Sequence, residues 1–142
     1  MNHAMNHATA RKKLMLALAA TLLAASASAE IVVVVNPANP ATRMFSAQAA
    51  QFFLGKSNQF TPIDQGKDSA IRREFYEKAA SKSLAEVEGL WAKLEFSGKG
   101  TAPKAFGSDA AVKKAIAADT SAIGYINKSS VDDSVKVLLT LP

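Results

Sequence analysis

The sequence has no cysteine, and its two histidines, His3 and His7, both lie near the N-terminus. Without thiols it can form no disulfide and no Cys-His nucleophilic pair. No apolar run reaches the ~20 residues that a membrane span needs. Aromatic residues make up 7% of the chain, with one tryptophan, and charged residues 20%. What remains is an ordinary globular composition over 142 residues, a length suited to one domain.

The N-terminus reads as an export signal. Arg11, Lys12 and Lys13 precede an apolar stretch from Leu14 to Ala25, and Ala27-Ser28-Ala29 forms a small-x-small cleavage site before Glu30. The expected domains are a cleaved signal peptide over 1–29 and one domain over 30–142. Three basic residues and no acidic ones leave with the signal, so 14 Lys and Arg face 12 Asp and Glu, a charge of +2. No basic cluster with interleaved aromatics is left, which removes the compositional case for nucleic-acid binding. Both histidines leave as well, which excludes a Ser-His-Asp triad and any His- or Cys-based zinc or copper site. An exported chain without disulfides fits the bacterial periplasm, and no later segment serves as a membrane anchor.

Along residues 30–142, Ile31-Val32-Val33-Val34-Val35 is a β-branched run without alternation, the pattern of a strand covered on both faces. Asn36-Pro37-Ala38-Asn39-Pro40 ends it. Ser46 is placed to cap a helix bearing Ala49, Phe52 and Phe53, with Gly55 as its stop. Phe60 to Ile63 reads as a short edge or end strand, and Asp64 to Asp68 as a polar turn. Ile71, Phe75 and Ala79 then mark the buried stripe of an amphipathic helix, with Arg72, Arg73 and Glu74 on its other faces. Ser83 and Glu86 form a capping box ahead of the stripe Leu84, Val87, Trp91 and Leu94. A loop over 97–103, a helix from Ser108, and strands over Ala122–Ile126 and Val135–Leu139 complete the chain. The alternation predicts the α/β class, with a mixed sheet flanked by helices.

Three stretches bear on chemistry. At Gln65-Gly66-Lys67-Asp68-Ser69 a turn enters a helix, where free amides and the positive dipole end favour an anion. The Ser69 hydroxyl adds a donor, and Lys67 and Arg72 add charge; alternatively, Ser69 or Asp68 is simply the N-cap. Gly98-Lys99-Gly100-Thr101 lacks the upstream glycine and the following helix of a P-loop, and reads as a surface loop. Asp132-Asp133 is the only adjacent carboxylate pair, and neighbouring side chains point apart, so it makes a poor acid–base dyad. With no histidine, cysteine or convincing carboxylate pair, an enzyme is disfavoured.

Four segments resemble the phosphate ABC-transporter substrate-binding proteins, a branch of the periplasmic binding proteins. They are Val34-Val35-Asn36-Pro37, Phe53-Leu54-Gly55-Lys56 with Phe60, Gly66 to Arg72 with Phe75, and Ala122-Ile123-Gly124-Tyr125. The resemblance implies one periplasmic-binding-protein-like lobe and an oxyanion site at Ser69, Ala70, Ile71 and Arg72, with no cofactor and no metal. It departs from the family where Gln65 replaces the ligand-binding Arg, and where Ala70 and Ile71 replace Gly and Thr. The expected ligand is phosphate or a similar oxyanion, in connection with phosphate uptake or sensing. A complete member closes two lobes around its anion, so a transporter or envelope protein partner, or a homodimer, would complete the cleft. The alternative is a ligand-free interaction module of the envelope that kept the fold.

Overall fold

The computed structural model describes residues 29–142; the expected signal segment, apart from Ala29, lies outside the described residues. Five strands form one sheet in the order β3-β2-β4-β1-β5. They are β1 (Ile31–Val35), β2 (Thr61–Gln65), β3 (Lys104–Phe106), β4 (Ala122–Asn127) and β5 (Lys136–Leu141). The helices are α1 (Ser46–Phe53), α2 (Ala70–Ala80), α3 (Leu84–Phe96) and α4 (Asp109–Ala117). Strand β2 runs parallel to β3 and β4, whereas β1 is antiparallel to both β4 and β5, so the sheet is mixed.

The unbroken run in β1 follows from its central position. Ile31, Val33 and Val35 enter one core with Phe53, Phe75, Tyr76 and Trp91, whereas Val32 and Val34 enter a second with Ile63, Val112 and Ile116. Alternate side chains point to opposite faces, so a strand with both faces covered has no position left for a polar residue. The first core is aromatic: Phe75 stacks on Tyr125 with centroids 3.9 Å apart, and Phe53 meets both rings edge-on. Asn36, directly after β1, donates to the Ile116 and Ala117 carbonyls at 3.0 and 3.1 Å. These carbonyls belong to the last turn of α4, where intrahelical donors run out, and Asn36 ties that helix to the strand.

Several local expectations hold. Gly55 follows the last turn of α1 at φ +74°, a conformation in which a side chain is strained. Ser83 and Glu86 exchange the two bonds of a capping box, and Ser108 accepts from the Ala111 amide at 3.1 Å. Others need correction. Ser46 is the first residue of α1 rather than its cap; the N-cap position is Phe45, whose amide donates to Gln48 Oε1 at 2.9 Å. Asp64 and Gln65 are not a polar turn but the buried end of β2, each 3% exposed. Strand β2 is internal, with Pro62 near its start where the ladder is least demanding. The short strand β3 was not foreseen, because three residues after Pro103 carry no periodic signal.

Because β2, β3 and β4 are parallel, their C-terminal ends, at Gln65, Phe106 and Asn127, meet at one edge of the sheet. Helices α2 and α4 start from that same edge, directly after β2 and β3. In open α/β sheets this is where ligands bind.

Candidate functional site

At this edge Ser69 occupies the N-cap position of α2. Its Oγ accepts from the Arg72 amide at 3.4 Å and donates to the Gly66 carbonyl at 2.7 Å. The hydroxyl thus acts as a helix cap. The amides of Ala70 and Ile71, the next two along the chain, have no acceptor among the described residues. They are the first-turn donors that helix geometry leaves free, and they lie at the positive end of the helix dipole.

Arg72 does not lie on an outer face as the sequence pattern suggested. It is 8% exposed and turned toward the sheet. Its Nε donates to Asp64 Oδ2 at 3.4 Å and its Nη1 to the Lys67 carbonyl at 2.9 Å, with Glu88 Oε1 3.5 Å from Nη1. The guanidinium also lies 5.6 Å from the centroid of the Tyr76 ring. Asp64 is the centre of the group. Its Oδ2 accepts from the Tyr76 hydroxyl at 2.7 Å, and its Oδ1 from the Gln65 amide at 2.9 Å and from the Tyr125 hydroxyl. Burial first, and the Asp64 carboxylate second, push the Tyr76 and Tyr125 hydroxyls far above the usual phenol range, so both stay protonated as donors. Burial works against the Arg72 charge, but Asp64 outweighs it and the pKa is raised. Every buried polar side-chain atom among the described residues has a partner.

A second carboxylate closes the other half of the edge. Asp109, the first residue of α4, accepts from Gln65 Nε2 at 2.8 Å, from the Asn127 amide at 3.1 Å and side chain at 3.0 Å, and from Ser130 Oγ at 2.7 Å. Burial opposes its ionisation, yet bonds from Ser130, Asn127 and Gln65 prevail and hold its pKa below the usual carboxylate range. Gln65 thus joins β2 to α4 by holding an internal carboxylate. No periodic pattern marks Asp109 or its partners; the one signal was its place in the first turn of a capped helix.

Beside the Asp64 group, against α3 and the loop before β3, a cleft of about 330 Å³ opens, lined by Asp64, Lys67, Arg72, Glu88, Trp91 and Glu95. The structure brings Ser69, Ala70, Ile71 and Arg72 together at the start of α2, but commits the guanidinium to Asp64 and the Lys67 carbonyl. Among the described residues no group of three or more His, Cys, Asp or Glu is placed to hold a metal, and no helix is long and apolar enough to cross a membrane. Asp132 is an exposed turn residue paired with Lys113 at 2.7 Å rather than with Asp133.

The arrangement of strands and helices recurs in known structures. An ABC-type phosphate transport receptor from Vibrio cholerae matches with a TM-score of 0.61 at 20% identity, over 78% of this chain and 46% of the receptor. A phosphate ABC-transporter substrate-binding protein from Clostridium perfringens, with bound phosphate, matches with a TM-score of 0.63 at 21% identity, over 78% and 45%. The fold is that of phosphate ABC-transporter substrate-binding proteins. PstS from Borrelia burgdorferi matches in the same way, with a TM-score of 0.58 at 14% identity. The chain spans less than half the length of each of these receptors, as expected of a single lobe. No family model matches the sequence, and no curated protein does.

Proposed function

We propose that this chain is an exported, single-lobe binding protein that takes up phosphate or a similar oxyanion at the start of α2, in connection with phosphate uptake or sensing. The observation that carries the reading is the pair of unpartnered amides at Ala70 and Ile71, set at the ligand-binding edge of a fold shared with phosphate receptors. An oxyanion there accepts both N–H groups and gains from the helix dipole. The Ser69 hydroxyl rotates from the Gly66 carbonyl to add a third donor, and Arg72 contributes its field from behind the turn. One wall leaves the anion half-hydrated, so a homodimer, or a transporter or envelope partner, supplies the other. This is a role in binding, not catalysis.

A second reading rests on a separate observation. Arg72 is already spent on Asp64, and four donors at the edge are spent on Asp109. That self-sufficiency favours a ligand-free interaction module of the envelope.

Calorimetric titration with phosphate separates the two. Ala70 is the first helical residue and Ser69 is extended (φ −74°, ψ 145°), so Ala70→Pro deletes one donor while keeping the helix start. Saturable binding that weakens about tenfold in Ala70→Pro, at unchanged thermal stability, supports the oxyanion reading. Silence toward millimolar phosphate and sulfate supports the module.

A further inference from the structure

A larger cavity, of about 520 Å³, lies at the opposite edge of the sheet, beside Thr61 and Pro62 at the start of β2. Its two walls are the loop after α1, with Lys56, Ser57 and Asn58, and the loop after α3, with Lys99, Gly100 and Thr101. No carboxylate lines it, and neither lysine forms an ion pair among the described residues. This contrasts with the cleft at Arg72, where three carboxylates outnumber two cations.

The floor is aromatic and fixed in place. Trp91 is held by its Nε1, which donates to the Phe53 carbonyl at 3.0 Å. Its six-membered ring reaches the cavity only because two glycines make room. A Cβ on Gly55 would stand 2.8 Å from Trp91 Cη2, and one on Gly100 3.2 Å from Cζ3. Phe60 lines the same space and is braced edge-on by Phe52, with centroids 4.8 Å apart. Two braced aromatic side chains, a ring of hydroxyl and amide groups, and two unpaired cations occupy one cavity within the ~300–1,000 Å³ range of small-molecule sites.

We infer that this cavity is a binding site for a small organic anion carrying a planar ring. The ring lies against Phe60 and the Trp91 edge, where aromatic stacking rewards a flat apolar face. The anionic group meets Lys56 and Lys99, and Ser57, Asn58, Thr61 and Thr101 offer hydrogen bonds to polar substituents. The site stands apart from Ser69 and does not depend on the oxyanion reading.

Adenosine 5′-monophosphate is a suitable probe; Trp91, the sole tryptophan of the chain, lines both this cavity and the cleft at Arg72, so the lysine variants assign its response. Titration of the purified protein at low salt, followed by fluorescence and calorimetry, gives a saturable response. The double variant Lys56→Gln, Lys99→Gln alters two exposed side chains and weakens that response about tenfold or more. Lys114→Gln, at an exposed lysine on α4 outside this cavity, leaves it unchanged. No saturable response into the millimolar range overturns the inference. So does an undiminished response in the double variant, or a response to inorganic phosphate alone that is equal in size and equally weakened by the double variant.

Discussion

Asp64 Oδ2 lies 3.4 Å from Arg72 Nε, joining the end of β2 to the first turn of α2 inside the protein. The side chains are 4% and 10% exposed, and the carboxylate is further satisfied by Tyr76 and Tyr125. The pair settles what Arg72 does in this structure: it neutralises a buried carboxylate beneath the turn. It also aligns α2 on the sheet, and so places the free Ala70 and Ile71 amides at the sheet edge.

Asp64→Ala leaves the buried Arg72 charge with only the half-exposed Glu88 carboxylate as counter-ion, and two tyrosine hydroxyls without an acceptor. Breaking a buried pair from one side costs about 3–5 kcal/mol. The urea midpoint of the variant therefore falls well below that of the parent. An unchanged midpoint would show that the pair is solvated in solution.

The depressed pKa of Asp109 predicts a particular acid response. Its folded pKa lies below its ordinary value of 3.8, so the stability it contributes is fully present above that value. That contribution is lost as the pH falls through the folded pKa. The difference in urea midpoint between the parent and Asp109→Asn should stay constant near neutrality and shrink on acidification below about pH 4. A difference that grows on acidification would contradict the hydrogen-bonded carboxylate.

Two glycines predict opposite signs. A Cβ on Gly124, in β4, would stand 2.9 Å from Ile116 Cδ1 and 3.0 Å from Val112 Cγ1, so Gly124→Ala wedges α4 off the sheet and costs about 1–3 kcal/mol. Gly89 is exposed within α3, and a Cβ there would meet nothing within 4 Å, so Gly89→Ala stabilises by about 0.5–1 kcal/mol. Thermal unfolding of the two variants checks both. A shift of the same sign in each would refute the packing account.

Much of the fold was legible because its signals are local. The five-residue β-branched run forecast a strand with both faces covered, since a covered strand admits no polar position. The stripes in α2 and α3 and the caps at Ser69, Ser83 and Ser108 likewise depend on neighbours within a few residues. Strand β3 escaped because three residues beside a loop hold too few positions to show a period. Arg72 and Asp64 escaped for a different reason: charged residues read as solvated unless a partner is known. Here the partners Tyr76, Glu88 and Tyr125 come from two helices and another strand.

The sequence by itself determined the α/β class, the order and caps of most helices, and the exclusion of cysteine and histidine chemistry from residues 30–142. Each of these follows from composition or from contacts between near neighbours. Only the tertiary structure decided that β2 is internal, that Asp64 and Gln65 are buried, and that Arg72 points inward. It alone also gathered Lys56, Phe60, Trp91 and Lys99 around one cavity. Those outcomes depend on which strands pair and on which loops the sheet brings together, and long-range pairing leaves no periodic trace in the chain.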